Sequence, residues 1–377
     1  MATTKPVVVY GASGYTGRLV CEFLRDYGIP FVAAGRDATK LKDAMESHVP
    51  GIETADYEVV EVTHDLESLT ELFTGAKVVC NMVGPFARFG HETVQAALAA
   101  GAHYIDTTGE QDWVRDCDEK YGQAFAEAGL LLSPGIAQMY TTGEIAAELC
   151  LETPGLDTLD IAVFWGGSPT IASTQTILYN AATAPAAHLV RNEYVEHDPT
   201  EGHAQLAIPG QHELGLALPW GGTSHPVWYK NDPRIQNCKA LGGVFNKALM
   251  VGVPQIVGGA LEATKDMSSD DRDAALEATA REVMNVMPPR ENPWLNKSLD
   301  SVHASGPLAR AHCVIHGNQN YKQTGLLQAY AAQQLIGDAQ KRVGFASGCK
   351  AFGHRELLGV LRAYGFVAEP VLTVQGA

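Results

Sequence analysis

The chain has 377 residues, of which 46% are hydrophobic and 19% charged, and its formal net charge is −16. This length is more than one ordinary hydrophobic core holds and suits two domains, and the composition is that of a compact globular protein. The strong negative charge disfavours nucleic acid and an anionic membrane surface as partners, because both bind to basic patches. We therefore expect a small-molecule ligand.

The cysteine pattern and the first residues predict the compartment. Seven cysteines are scattered along the chain, and none lies in a Cys-x-x-Cys pair. Such a set is typical of free thiols in a reducing environment. No signal-peptide pattern fits the start of the sequence, and its apolar stretches are too short to span a membrane. No zinc-ligand spacing occurs either. We expect a cytoplasmic protein that holds no metal.

The first predicted strand leads into a glycine-rich turn. Residues 7–18 read Val-Val-Val-Tyr-Gly-Ala-Ser-Gly-Tyr-Thr-Gly-Arg, with glycines at 11, 14 and 17, and an amphipathic helix pattern follows. A helix N-terminus offers backbone N–H groups and partial positive charge to a pyrophosphate, and glycines let the phosphates approach closely. The spacing is Gly-x-x-Gly-x-x-Gly, a variant of the dinucleotide fingerprint. It predicts a dinucleotide site; the alternative is a glycine-rich turn without a ligand.

The end of the second predicted strand indicates which dinucleotide would bind. The apolar run at residues 31–34 is followed by Gly35, Arg36 and Asp37. An acidic residue at this point usually binds the ribose hydroxyls of NAD, whereas an arginine accommodates the 2′-phosphate of NADP. Arg36 therefore favours NADP. In the alternative interpretation Arg36 is a solvated loop residue and Asp37 only caps the next helix.

Strand and helix patterns alternate through the first third of the chain. Helices are predicted at residues 92–100 and 116–128, and strands at residues 7–10, 31–34, 57–62, 77–83, 103–105 and 130–132. This order predicts a Rossmann-type, doubly wound parallel sheet of the α/β class, with ligands beyond the carboxyl ends of its strands. Asp65, residues 81–85 and residues 106–110 follow such ends. For the last two segments the alternatives are a simple turn and helix capping by Asp106 or Thr108.

The regular alternation fails after residues 133–135. Strands are predicted at residues 160–165 and 308–316, and helices at residues 174–182, 269–287, 323–335 and 354–364. These elements predict a second, mixed α/β domain that binds the substrate. The predicted domains are residues 1–135 and 136–323, with the C-terminal residues 324–377 returning to pack on the first.

Hydride transfer to a substrate needs a polarising group or a proton donor. The segment 221–230 offers His225, Tyr229 and Lys230 beside aromatic residues, and Glu110 follows the fifth predicted strand. These four are the candidate catalytic residues. The alternatives are an exposed loop for the segment and a backbone anchor for Glu110. No Tyr-x-x-x-Lys pair and no Gly-x-Ser-x-Gly elbow occurs, which excludes ordinary short-chain dehydrogenases and α/β-hydrolases.

Four motifs in order give the chain a family resemblance. They are Gly-Ala-Ser-Gly-Tyr-Thr-Gly at 11–17, Gly-Arg at 35–36, Val-Gly-Pro-Phe at 83–86 and His-Tyr-Ile-Asp-Thr-Thr-Gly-Glu at 103–110. Over about its first 145 residues the chain resembles the saccharopine dehydrogenase-like family, and most of all its trans-acting enoyl reductases. The resemblance implies an NADP-binding Rossmann domain, a mixed α/β substrate domain and a homodimer.

The resemblance also implies which residues contact the cofactor. The implied pyrophosphate residues are Gly11, Ser13, Gly14, Tyr15, Thr16 and Gly17, and Arg36 would bind the 2′-phosphate. The implied residues farther along the cofactor are Asp65, Asn81, Val83, Gly84, Pro85 and Gly109. The sequence departs from the family after the sixth strand, where a Pro-Gly-x-Gly-Phe-Asp-Ser type of run is replaced by Ser-Pro-Gly-Ile-Ala-Gln-Met-Tyr at 133–140. We therefore expect a different substrate pocket.

Members of the family reduce either imine-type bonds of amino acids or C=C bonds of polyketide-like chains. A substrate with several carboxylates would need clustered arginines, yet Arg191, Arg234 and Arg310 are spread along the second half of the sequence. We therefore favour an NADPH-dependent reductase of an enone or enoyl C=C bond. The alternatives are an imine or carbonyl reductase of an amino-acid-like substrate and a non-catalytic NADP sensor.

Overall fold

The computed structural model describes residues 3–183, 185–198, 201–219 and 224–376. The chain divides into two compact units. Unit 1 comprises the residues up to 108 together with 112–141 and 321–365, and unit 2 comprises residues 109–111, 142–320 and those from 366 onward.

Unit 1 is built around a parallel sheet. Its first elements are β1 (Val7–Tyr10), α1 (Tyr15–Asp26), β2 (Phe31–Gly35), α2 (Ala38–His48), β3 (Tyr57–Glu61), α3 (Leu66–Phe73), β4 (Val78–Asn81), α4 (Phe86–Ala100), β5 (His103–Asp106), α5 (Gln111–Asp116), α6 (Gly122–Glu127) and β6 (Leu131–Ser133). A π-helical turn, Cys117–Tyr121, separates α5 from α6.

The chain then continues into unit 2. Its elements are α7 (Gln138–Leu151), β7 (Thr158–Trp165), α8 (Ile171–Thr183), β8 (Ala187–Val190), β9 (Glu193–Glu196), β10 (Ala204–Ala207), β11 (Leu214–Ala217), α9 (Ser224–Tyr229), β12 (Asn237–Val244), α10 (Lys247–Thr264), α11 (Ser269–Val283), β13 (Lys297–Ser305) and β14 (Arg310–Asn318). The last elements are α12 (Asn320–Ile336), β15 (Gly344–Phe345), α13 (Gly348–Phe352), α14 (His354–Ala363) and β16 (Val371–Gln375).

The sheet of unit 1 has the strand order β15-β6-β5-β4-β1-β2-β3 in the described residues, and the pairs along it are parallel. Strands β1 and β4 are fully buried, as a parallel sheet covered by helices requires. The order reverses between β1 and β4, and open α/β sheets bind ligands at such a switch point. The doubly wound α/β fold predicted from the sequence is therefore confirmed.

The main sheet of unit 2 is mixed, with the order β16-β14-β13-β7-β12-β8-β9 among the described strands. Strands β7 and β12 run parallel, whereas β13 is antiparallel to both β7 and β14. Helix α7 covers one face, where Gly143 approaches Ile161 and the Cys150 thiol lies 3.7 Å from the carbonyl oxygen of Val302. On the other face Phe164 and Leu299 pack with Ile208 in a small core.

The C-terminal segment differs from the prediction. Helices α12, α13 and α14 lie in unit 1, but residues 366–376 lie in unit 2 because β16 pairs with β14 from Arg310 to Val314. A single returning block from 324 to 377 is therefore wrong for its last residues. The sequence offers no period-3.6 pattern there, only one short apolar run.

Candidate functional site

The glycine-rich turn between β1 and α1 has the shape that a pyrophosphate needs. Gly11 adopts a φ of +88°, and a Cβ there would lie 2.9 Å from the Cγ2 atom of Val83. A Cβ on Gly17 would lie 2.5 Å from the carbonyl oxygen of Gly11. Gly14 is the N-cap of α1 and has no side chain to cap it, and the first turn contains no acidic residue. Backbone and space at this helix start fit an anionic group.

The other predicted residues of the turn surround the same helix start. Thr16 belongs to the first turn of α1, and the ring of Tyr15 meets Tyr321 edge to face at 5.1 Å. The Arg18 Nε atom donates a 2.9 Å hydrogen bond to the carbonyl oxygen of Ser13. A cation therefore stands beside the turn, which favours a phosphate there although the net charge of the chain is negative.

Arg36 lies in the wall of a cavity beyond β2 and β3. The side chain is exposed, and the cavity has a volume of about 470 Å³. It is lined by Arg36, Val60, Glu61, Val62, Thr63, His64, Ser68, Glu71 and Leu72. Asp37 caps α2 by accepting a 2.9 Å hydrogen bond from the N–H of Lys40. The capping role in the alternative interpretation is thus present, and a role for Arg36 in binding the 2′-phosphate stays a prediction.

The Asp65 carboxylate is hydrogen bonded to neighbouring residues. Its carboxylate caps α3 by accepting a 2.8 Å hydrogen bond from the N–H of Ser68, and it also accepts one from the Thr63 hydroxyl. The Thr63 hydrogen bond is the largest cause that lowers the pKa of Asp65. These contacts explain the residue as a helix cap, and a cofactor role for Asp65 stays a prediction.

Sequence reasoning missed a polar group at the same edge of the sheet. The Tyr10 hydroxyl and the Nδ1 atom of His64 are hydrogen bonded at 2.8 Å, and His64 Nε2 lies 3.6 Å from a Glu92 carboxylate oxygen. Burial raises the pKa of Tyr10 to about 12 and lowers that of His64. Nothing in the spacing of these residues reveals the contact, because it joins the ends of β1 and β3 with α4.

The segment after β4 is held by a buried network. The Asn81 side chain accepts a 3.0 Å hydrogen bond from the Val83 N–H and donates one of 2.9 Å to the Tyr104 hydroxyl. The peptide between Gly84 and Pro85 is cis, and Pro85 directly precedes α4. This segment follows β4 at the switch point of the sheet, and its contact with a dinucleotide stays a prediction.

Asp106 is the centre of that network. Its carboxylate accepts hydrogen bonds from the Tyr104 hydroxyl, the Trp113 indole and the N–H groups of Thr108 and Gly135, at 2.9 to 3.0 Å. Burial is the largest influence on the Asp106 carboxyl and raises its pKa. Asp106 therefore ties β5 to the segment after β6, a wider role than the helix cap considered from the sequence.

Gly109 and Glu110 lie with unit 2. Glu110 is fully buried, and its Oε1 atom accepts a 3.2 Å hydrogen bond from the Thr176 hydroxyl on α8. The adjacent Gln111 side chain donates to the carbonyl oxygen of Ala187 and accepts from its N–H. Gln111 thus anchors backbone in this segment, and a catalytic role for Glu110 stays a prediction.

The segment 221–230 is not an exposed loop where the structure describes it. Residues 221–223 lie outside the described residues, and residues 224–229 form the buried helix α9. Three of the buried residues of this short helix, Pro226, Val227 and Trp228, are apolar. The exposed-loop alternative is wrong for these residues.

The candidates on and after α9 have different surroundings. His225 stacks edge to face on Trp228 at 5.4 Å and packs closely against Gly143 of α7. The Tyr229 hydroxyl donates a 3.1 Å hydrogen bond to Glu148. Lys230 donates to the carbonyl oxygen of Asn192 and lies over the ring of Tyr194. The three polar groups have these separate partners, and their catalytic roles stay predictions.

A buried carboxyl that the sequence did not single out lies under α7. Asp300 of β13 is 1% exposed, and its Oδ1 atom accepts a 2.9 Å hydrogen bond from the Thr142 hydroxyl. Burial raises the pKa of this carboxyl to about 8, so the side chain is mostly neutral at pH 7. An aspartate within the largely polar sequence of β13 gives no sequence signal of this kind, since its burial comes from tertiary packing.

Three general features complete the description of the sites. The seven cysteines are buried free thiols. No group of three or more potential metal ligands is found in the described parts of the chain. Among the same residues, every helix is too short or too polar to cross a membrane.

Comparison with known proteins gives two family matches. A model of the saccharopine dehydrogenase NADP binding domain matches residues 7–131. A model described as a family of unknown function, DUF5938, matches residues 141–376. The first match covers the glycine-rich turn, Arg36 and the Asn81 segment, so unit 1 contains the NADP-binding domain of an oxidoreductase family.

The similar curated proteins match about a third of the chain. A lipid droplet localized protein of Caenorhabditis elegans is 37% identical over 131 residues, which are 33% of this chain and 31% of that protein. The human saccharopine dehydrogenase-like oxidoreductase is 32% identical over 139 residues, 33% and 32% of the two chains. A trans-acting enoyl reductase of Mycobacterium ulcerans is 31% identical over 125 residues, 33% and 30%. The matched part spans about a third of the length of these relatives.

The family resemblance predicted from the motifs is therefore confirmed for the cofactor domain. The larger match includes most of unit 2. The chain belongs to the DUF5938 family of unknown function, and in it a saccharopine dehydrogenase-type NADP-binding domain precedes the region that defines that family.

Proposed function

We propose that this protein is an NADPH-dependent reductase that transfers hydride to the C=C bond of an enone or enoyl-type small molecule. The observation that carries the cofactor part is the glycine-rich turn, where packing leaves no room for a side chain at Gly11 or Gly17 and Gly14 begins an uncapped helix. Arg36 in the cavity wall adds the expected partner of the 2′-phosphate. When bound, NADPH supplies the hydride.

The contacts of two arginines of unit 2, Arg234 and Arg310, support this choice of substrate class. Arg234 is paired with Glu148 at 2.9 Å and with Asp232 at 2.8 Å. Arg310 donates to backbone carbonyl oxygens, those of Gly306 and Ala309. Both guanidinium groups are thus occupied, which disfavours a substrate with several carboxylates. The enoyl reductase among the relatives supports the same direction, although the match covers only 33% of this chain.

The alternatives are an imine or carbonyl reductase of an amino-acid-like substrate and a non-catalytic NADP sensor. The sensor is disfavoured by the well-built second unit, which has its own mixed sheet and buried polar residues. The imine reductase would need arginines from other positions than the two described above.

A consumption assay tests the proposal. NADPH absorbance is followed with one panel of enones and enoyl thioesters and a second panel of keto acids with amines. Turnover with the first panel alone is the expected result. Turnover only with the second would establish imine or carbonyl chemistry, and tight NADPH binding without turnover of either would support the sensor.

We also propose a cytoplasmic homodimer, the assembly that the family resemblance implies. Its support is the edge strand β16, which carries no charged residue or proline and leaves Val371, Leu372 and Val374 at least 40% exposed. Exposed uncharged edges of this kind pair readily with another strand. Sedimentation analysis should give twice the mass of the chain, and a monomer at micromolar concentration would refute the dimer.

A further inference from the structure

The buried Asp300 lies on the face of the unit 2 sheet that α7 covers. In the register of the sheet Asp300 is opposite Val163 of β7 and Ile315 of β14, so these side chains share one face. Trp165, two residues beyond Val163, is opposite Ser298 and points to the same face. Asp300 and Trp165 are therefore diagonal neighbours, which places their Cβ atoms about 7 Å apart, a distance within reach of an aromatic side chain such as Trp165.

Both residues hold a buried polar atom that is not satisfied. Asp300 is 1% exposed and Trp165 is 5% exposed. Asp300 Oδ2 and Trp165 Nε1 have no hydrogen-bond partner among the described residues. Leaving such atoms unpaired costs free energy, so each is expected to pair with an ordered water or a ligand atom. Two of them at one end of two neighbouring strands point to a ligand atom that pairs with both.

We propose that Asp300 and Trp165 together bind the carbonyl oxygen of the substrate, an α,β-unsaturated ketone or thioester. The inference rests on the proposed function for the reaction type and adds the substrate-binding group and its two residues. The indole N–H is a donor only, and a neutral carboxyl donates its O–H, so both would donate to the same acceptor. Thr142 fixes the carboxyl from its other oxygen at 2.9 Å.

The chemistry balances with these two donors. Hydride addition to the β-carbon forms a C–H bond and breaks the C=C π bond, and the electron pair moves through the α-carbon onto the carbonyl oxygen. The Asp300 O–H and the Trp165 N–H stabilise the resulting enolate oxygen. A proton from water then forms the C–H bond at the α-carbon and restores the carbonyl. Overall the substrate gains one hydride and one proton, and the cofactor is oxidised.

The environment makes these donors effective. Preorganised donors act most strongly where water is excluded, and a neutral buried aspartate beside a second donor is one known form of oxyanion hole. Asp300 Oδ2 and Trp165 Nε1 are closed to solvent, so the substrate carbonyl reaches them only when the side chains that cover them move. The test therefore uses the whole chain in solution, where such movement is possible.

Infrared spectroscopy of a bound probe tests the site apart from turnover. The probe is a crotonyl thioester in the presence of NADP⁺, which cannot donate hydride, and the variants are Asp300→Leu, Asp300→Asn and Trp165→Phe. In the wild type the carbonyl stretch should shift to lower frequency on binding. Asp300→Leu and Trp165→Phe should each remove part of that shift, and Asp300→Asn, whose amide can donate, should restore part of it.

The control is Cys238→Ala. The Cys238 side chain is fully buried on the same face of the sheet, near the start of β12, whereas Trp165 is level with the end of that strand. It should leave the shift unchanged, and all variants should bind NADPH as the wild type does. In turnover, Asp300→Leu should lower kcat/KM about 100-fold, the typical loss for one oxyanion-hole donor.

The outcomes separate this inference from the proposed function. A folded wild type that shows no carbonyl shift, or that fails to bind the probe, overturns the site. So do variants that keep the wild-type shift and kcat/KM. Failure to turn over enones and enoyl thioesters overturns the proposed function instead, and the NADP⁺ complex still decides whether Asp300 and Trp165 bind a carbonyl.

Discussion

Gly17→Ala is the most informative change in the cofactor domain. The added Cβ would lie 2.5 Å from the carbonyl oxygen of Gly11 and 2.8 Å from the Cα atom of Ala12, both of them backbone atoms of the turn. No flexible side chain can move away to relieve this contact. The turn itself must shift, and with it the N–H groups that would bind the pyrophosphate.

The magnitude follows from two opposing effects. Overpacking costs about 1–3 kcal/mol, and a clash with backbone belongs at the upper end. Alanine in a helix gains about 1 kcal/mol over glycine. We therefore expect a net loss of about 2 kcal/mol in the free energy of unfolding. We also expect at least a tenfold loss of NADPH affinity, which is about 1.4 kcal/mol.

Fluorescence titration with NADPH measures the affinity, and circular dichroism checks the fold. Gly359→Ala in α14 of unit 1 is the matched control, because a Cβ there meets no atom within 4 Å. It should stabilise by about 0.5–1 kcal/mol and leave NADPH binding unchanged. A Gly17→Ala protein with wild-type affinity would refute the reasoning, and so would equal losses in both variants.

Three further predictions follow from the same contacts. Arg36→Ala should weaken NADPH binding about 10- to 100-fold, the range for a hydrogen bond to a charged group, and NADH binding much less. Equal losses of affinity in titrations with the two cofactors would show that Arg36 does not recognise the 2′-phosphate. Asp106→Ala should lower the free energy of unfolding by about 3–5 kcal/mol in denaturant titrations, because it leaves buried donors unpaired; a loss below about 1 kcal/mol would show that the network is dispensable. The pKa of Asp300 is raised to about 8, so the folded protein keeps a proton that the unfolded chain loses near pH 4, and stability falls as pH rises between these values. Relative to Asp300→Asn, wild type should lose about 3 kcal/mol between pH 5.5 and pH 8 in denaturant titrations; a constant difference would contradict a buried neutral acid.

The cofactor domain was largely predictable from the sequence. Each predicted strand of unit 1 lies within two residues of the observed one, because short apolar runs there are bounded by glycines or polar residues. Asp37 caps α2, and the sequence can indicate such a role because it depends on one hydrogen bond from the N–H of Lys40, three residues later. The predicted helix at 116–128 contains a π-helical turn at Cys117–Tyr121, which no local pattern announces.

Unit 2 was less predictable for physical reasons. Helix α7 is buried on nearly all sides from Ile145 to Leu151, so its apolar residues show no helical period. Strands β12 and β13 were missed because glycines and buried polar residues interrupt their apolar patterns. The diagonal placement of Asp300 and Trp165 on one face depends on the register of β7 against β13, which only tertiary structure sets.

The most direct test of the central proposal is hydride transfer to an identified atom. The protein is incubated with NADPH deuterated at the transferring position and with a crotonyl thioester, and the product is analysed by mass spectrometry and NMR. We predict one deuterium at the β-carbon and one solvent proton at the α-carbon. Deuterium at the carbonyl carbon, or unchanged thioester while keto acids with amines acquire the label, would contradict C=C reduction.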